Sequence, residues 1–218
     1  VPPLTAPVTV KILSDLASDG DIAYDPVLRS YLVTRGPSAV WFGIDSADAD
    51  LPEYRAFLTF PLDGFTGQPV VPGNAFIVAA DVEVFVNFLD FATAVPTFLD
   101  LVQYPFRNLG GTGPAADFNQ PPLATRPAFD FYLSDAGNFV RIEVTSLMQA
   151  AQAPPALVDF QLRFSRDMSV PPLAPWKSSP GAGRTVVQPP RAMDGIVPVR
   201  EAASAKLPSP EAPAPRRR

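Results

Sequence analysis

The side chains best suited to chemistry in this sequence are acidic and aromatic. Asp45, Asp48, Asp50 and Glu53 crowd one short stretch, and calcium takes oxygen ligands on loops of that density. The stretch is not an EF-hand: its sixth place is not glycine, and Ala56 stands at the twelfth. Asp15, Asp19 and Asp21 form a second acidic group around Gly20. A solvated acidic turn is the plainer reading of both groups, with calcium the one cofactor for which ligands are on offer. Trp41, Tyr54 and Tyr104 are the candidates for a sugar-stacking platform, with Tyr31 and Trp176 beside them in kind. Sixteen phenylalanines set the alternative, in which the rings of this chain are core material and Trp41 packs between sheets.

Other chemistries drop out by composition. The chain has no histidine and no cysteine. That excludes His- or Cys-built zinc sites, haem attachment, iron–sulfur clusters, thiol nucleophiles, disulfides and a Ser–His–Asp triad. Gly110-Gly111-Thr112-Gly113 lacks the lysine and the strand-to-helix setting of a phosphate loop. Lys177-Ser178 makes a poor dyad, and no Asn-x-Ser/Thr acceptor occurs. Twenty-two acids leave a carboxylate pair arithmetically open, but none stands in a catalytic context. The chain is therefore not expected to be an enzyme.

The elements that must position these residues read as strands. Alternation of apolar and polar residues marks Val8 to Ile12, Arg55 to Leu62, Phe76 to Asn87, Phe98 to Tyr104, Phe129 to Leu133, Phe139 to Val144 and Asp159 to Ser165. Shorter pieces run from Tyr31 to Val33 and Ala39 to Ile44, and Asp19-Gly20-Asp21 reads as a turn. In the last two long strands Val140, Ile142, Val144, Phe160, Leu162 and Phe164 point inward, with Arg141, Glu143, Gln161 and Arg163 outward. One wet face is the mark of antiparallel sheets. Thr145 is placed to cap a single short helix over Ser146 to Gln152, stopped by Pro154-Pro155. The expected fold is all-β: an antiparallel β-sandwich or jelly roll over 1–169, with one short helix. The Gly- and Pro-rich stretch from Asn108 to Arg126 is long for a sandwich loop, a length typical of contact elements and of disorder alike.

From 170 to 218 the composition changes. Eleven of the 28 prolines fall there, and alternation survives only at Thr185-Val186-Val187 and Ile196-Val197. Such a segment builds no core of its own and reads as an extended, Pro-rich C-terminal arm, reaching over ~100 Å at about 3 Å per residue. Charge is divided the same way: residues 1–169 carry nine basic against nineteen acidic residues, and 170–218 carry eight against three. A basic arm suits an acidic surface, and an acidic body repels phosphate, so the body is not expected to bind nucleic acid. No apolar run has the length of a membrane span. The opening Val1-Pro2-Pro3 reads as the start of a processed, mature chain or of a trimmed one.

Three stretches resemble the bacterial secreted β-sandwich domains known as DNRLRE domains, which are related to a class of carbohydrate-binding modules. Residues 55–62 are similar to the family's arginine-led strand, 79–86 to the strand after it, and 140–147 to the strand that enters a short helix. Phe160-Gln161-Leu162-Arg163 matches the strand that follows. The resemblance spans about residues 5 to 168 and implies an extracellular, non-catalytic sandwich. It departs where the family closes with an apolar strand: here stand Val170-Pro171-Pro172-Leu173-Ala174-Pro175-Trp176 and the basic arm. Either the closing strand is missing, or a piece of the arm, the chain's own or a neighbour's, replaces it.

The function expected from sequence is that of a secreted structural or adhesive subunit in a filament or surface layer. In this reading Trp176 anchors the arm, Val186, Val187, Ile196 and Val197 add strands to a neighbour, and Arg184, Arg191 and Arg200 meet its acidic body. The expected partner is another copy or another extracellular protein. The alternatives are a glycan-binding module with a linker tail and a virion capsid or decoration protein.

Overall fold

The computed structural model describes residues 7–36, 39–45, 48–89, 94–166, 184–188 and 195–200. The chain folds as antiparallel β-sheet with one helix of two turns. In order come β1 (Val8–Ile12), β2 (Gly20–Asp25), β3 (Ser30–Arg35), β4 (Val40–Ile44), β5 (Glu53–Pro61), β6 (Phe76–Ile77), β7 (Asp81–Leu89) and β8 (Ala94–Val102). There follow α1 (Pro114–Phe118), β9 (Ala124–Tyr132), β10 (Asn138–Glu143), α2 (Thr145–Ala151), β11 (Asp159–Arg166), β12 (Arg184–Gln188) and β13 (Gly195–Arg200).

The main sheet runs β10-β7-β12-β4-β5-β11-β8-β9, with the β2–β3 hairpin on the other edge of β5. Its corner is narrow. Only Gly43↔Tyr54 and Ile44↔Glu53 join β4 to β5, after which β11 takes over as the partner of β5. The path thus folds into two layers. Phe42 of β4 meets Phe131 of β9 and Phe164 of β11 across the core, with ring centroids 5.7 and 5.8 Å apart. Val82, Val84 and Val86 of β7 and Leu58, Leu99, Leu101 and Leu162 opposite are buried in the same cluster. The alternation read from the sequence is what creates this face, since residues two apart along a strand share a side.

A small sheet, β1-β13-β6, closes the sandwich near α2 and adds Ile12 and Ile77 to the core. Leu147, Met148 and Ala151 of α2 face inward. The helix begins one residue earlier than expected, because the Thr145 hydroxyl accepts the Ala80 N–H at 2.9 Å rather than capping its own helix. A cavity of about 20 Å³ beneath this cap is lined by Ile12, Phe60, Leu62, Val82 and Met148. It has about the volume of one water and an apolar wall.

Four expectations change. The stretch 76–87 is two strands, broken at residues 78–80. Gly20 and Asp21 open β2 instead of forming a turn, and the chain reverses between Asp25 and Ser30. Part of the 108–126 stretch is ordered as α1 and covers the outer face of the main sheet. For that reason Gln161 and Arg163, expected outward into solvent, are buried under a second layer.

Candidate functional site

The two strands of the arm occupy interior places. β12 lies between β4 and β7: Arg184, Thr185, Val186 and Val187 register with Gly43, Phe42, Trp41 and Val40 on one side. On the other side, Thr185 to Gln188 register with residues of β7 between Leu89 and Phe85, with a shift between Val186 and Val187. β13 lies between β1 and β6. Val197 registers with Val10, Ile196 with Lys11, and Val199 with both Val8 and Ile77. Each arm strand therefore completes hydrogen bonding for two strands that otherwise face a gap. An unpaired ladder edge beside a buried face is costly, because its N–H and C=O groups lose their partners. The gaps are bordered by buried apolar residues: Val40 and Phe42 on β4, Val84 and Val86 on β7, Ile12 and Ile77 at the cap. These two slots are the candidate functional site.

The outer face of the β5–β11–β8 sheet is closed differently. Segment 103–123 lies over it and adds Tyr104, Leu109 and Phe118 to Ile22, Phe57 and Val102 in a small second core. Arg163, 4% exposed, pairs with Asp100 at 2.6 Å and donates to the carbonyls of Phe118 and Gln120. Arg55 donates to the same Phe118 carbonyl at 2.6 Å, stacks on the Phe118 ring and pairs with Glu53. Asp117 accepts the Gly110 N–H at 2.5 Å, which ties the segment to itself. Gly20 has no room for a side chain: a Cβ there would sit 2.2 Å from the Thr34 carbonyl oxygen.

Asp19 is fully buried in this layer. Its Oδ1 accepts the Thr59 N–H at 2.8 Å, and its Oδ2 has no hydrogen-bond partner among the described residues. Burial pushes its carboxyl up to about 7, against the opposing pull of the Thr59 N–H and the Ser14 hydroxyl. Tyr104 lies beside it, its hydroxyl 2.5 Å from the Thr59 hydroxyl and within reach of the Ser18 carbonyl. Burial raises the Tyr104 phenol above its ordinary value, so it stays neutral at any ordinary pH.

This geometry places the residues singled out in the sequence. Tyr104 is 2% exposed and its hydroxyl is taken, so it cannot offer a ring to a sugar. Trp41 and Tyr54 are half-buried on neighbouring strands, at the β4–β5 corner. The acidic stretch is a turn: Asp45 is buried, Asp48 accepts the Asp50 N–H, and Glu53 is held by Arg55 at 2.8 Å. Among the described residues no three acidic side chains gather in a way that could hold a metal ion. Arg184, Val186, Val187, Ile196, Val197 and Arg200 all fall in β12 or β13, whereas Trp176 and Arg191 lie outside the described residues. Among the described residues no helix is long and apolar enough to cross a membrane.

The sequence pattern names Asp19, Tyr104 and Arg163 separately and does not bring them together with Thr59 in one buried polar layer. The one available signal was Gln161 and Arg163 facing Thr59 and Phe57 across registered strands, a mixed face next to an apolar one. No family model matches this sequence, and no curated protein matches it either.

Proposed function

We propose that this chain is a non-catalytic structural or adhesive subunit of an extracellular assembly, joined to its neighbours through the 170–218 arm. One observation carries the proposal: both strands of the arm are interior strands, and each bridges two strands of the body that do not otherwise pair. Strand addition supplies affinity through main-chain hydrogen bonds, with little demand on particular side chains. The charge division supports it, since a basic arm and an acidic body attract between copies as well as within one. The resemblance to secreted sandwich domains supports the extracellular setting, while a chain without cysteine fits a secreted protein and a reducing cytosol alike.

Light scattering after size-exclusion chromatography tests it on the full chain. The expected result is a mass at multiples of 23.4 kDa that falls as salt is raised toward ~1 M. A mass of 23.4 kDa at every concentration overturns it.

A further inference from the structure

Resting on that subunit reading, we propose the identity of the joint: β12 and β13 are exchanged between copies, so that the β4–β7 and β1–β6 slots of one subunit receive the arm of another. The occupant is a second copy of this chain. Three observations lead there.

First, among the described residues no hairpin ties the arm to its own body. β12 follows β11 in sequence yet pairs with β4 and β7, and β13 follows β12 yet sits in the other sheet. Neither forms a hairpin with a chain neighbour, so the partner strands are met only at long range. A slot that recognises β12 by its ladder cannot tell its own copy from another's.

Second, the chain between β11 and β12 is far longer than an in-chain crossing needs. Phe164 registers with Ala56, and two residues along β5 Tyr54 registers with Gly43, the partner of Arg184. With strands about 4.8 Å apart, the end of β11 and the start of β12 are separated by roughly 10–15 Å. Residues 167–183 reach about 55 Å when extended. That length spans the gap to the chain's own slot several times over and is enough to reach the slot of a neighbouring copy.

Third, β12 is a short insert of five residues whose ladder with β7 shifts register between Val186 and Val187. A short, irregular insert of this kind is a discrete unit that another copy's strand can replace, restoring the same two ladders.

The test uses the absence of cysteine from the chain. Trp41 and Val186 are registered partners, so Trp41→Cys and Val186→Cys in one full-length chain place two thiols across the slot. The assembled protein is oxidised, denatured without reductant and sized. Exchange predicts that most chains run as covalent dimers and longer ladders. Monomers with an internal disulfide, or no disulfide at all, overturn it. Lys11→Cys with Ile196→Cys tests the second slot by the same readout, should the first pair fail to fold. The two proposals fail separately. Multimeric mass with internally crosslinked monomers defeats exchange and leaves the subunit reading standing, whereas a monomeric mass defeats the subunit reading itself.

Discussion

The sheet formed by β5, β11 and β8 is covered on both faces, and the two covers are built on opposite principles. The inner face meets aliphatic and aromatic residues of the other layer, and that layer is continuous only because β12 joins β4 to β7. The outer face meets segment 103–123, which leaves β8 and folds straight back. Backbone pairing with distant strands closes the first. Particular side chains close the second: Arg163 on two carbonyls, Arg55 on one of the same two, Tyr104 on Thr59. An apolar face accepts any well-shaped cover, whereas a buried arginine accepts only the carbonyls and carboxylate arranged for it. Under the exchange proposal, the part that passes between copies is the one held by main chain, and the fixed part is the one held by buried charge.

The largest expected effect comes from disabling the exchangeable cover. Proline has no N–H to give a ladder, and Val187 is paired on both sides, to Val40 of β4 and Val86 of β7, whereas Pro198 of β13 stands opposite Thr9 alone. Val187→Pro together with Ile196→Pro removes a ladder donor from both arm strands and should abolish the whole of the arm's contribution to stability, read by denaturant unfolding. If the slots accept any copy of the strands, a free peptide spanning 184–200 should restore stability to that variant in a concentration-dependent way. Failure of the peptide to raise the melting temperature would place the arm among the fixed parts.

Next in size is the fixed cover. Arg163→Ala leaves Asp100 buried without its guanidinium and strips the carbonyls of Phe118 and Gln120 of a donor. Breaking a buried pair in this way costs about 3–5 kcal/mol. Hydrogen exchange should rise across 103–123 and stay low in β7 and β10. Replacing Arg163 and Asp100 together by Met and Leu should recover much of the loss, since no unpaired charge then remains. Uniform exchange over both layers would mean that the two covers are one cooperative unit.

Asp19 sharpens the contrast through pH. Its folded value of about 7 stands above the ordinary 3.8, so the folded state holds the proton more tightly than the unfolded chain. The stability this contributes is fully present below about pH 4 and lost as pH rises through about 7. Asp19→Asn keeps an acceptor for the Thr59 N–H and carries no charge. It should be more stable than the parent at pH 8 by up to about 4 kcal/mol, with the difference vanishing near pH 3, as followed by thermal melts. A variant whose curve parallels the parent across that range would mean that Asp19 ionises freely in the fold.

The inner face was legible in the sequence because alternation is a one-dimensional signal. Val82, Val84 and Val86 declare their side whatever covers them. Val186-Val187 and Ile196-Val197 were legible as strand-length pieces for the same reason, though their neighbours were not, since pairing between distant strands leaves no local mark. The outer face was illegible. Gln161 and Arg163 carry the polarity of solvent-facing residues, and only the return of 103–123 turns them into buried ones. Tyr104 misled for a related reason: a tyrosine's polar tip serves a surface or a buried hydroxyl pair equally well.

The smallest expected effect lies where the fixed cover meets solvent. Phe106 is 96% exposed and sits at φ 59, and Arg107 after it at φ 52, both in the left-handed region that L-residues avoid. Arg107 has a reason to be there, since its guanidinium reaches Asp159 at 2.6 Å and Asp63 at 2.8 Å and stacks on Phe65. Phe106 buries almost nothing and bears the backbone strain that aims its neighbour. Phe106→Gly removes about 1 kcal/mol of that strain, and the added freedom of the unfolded chain takes part of it back. The net expectation is a gain of about 0.5 kcal/mol in denaturant unfolding, with 103–123 as protected from exchange as before. A loss of 1 kcal/mol or more would mean that the Phe106 ring itself packs in the native state, and that the pinned cover extends to its tip.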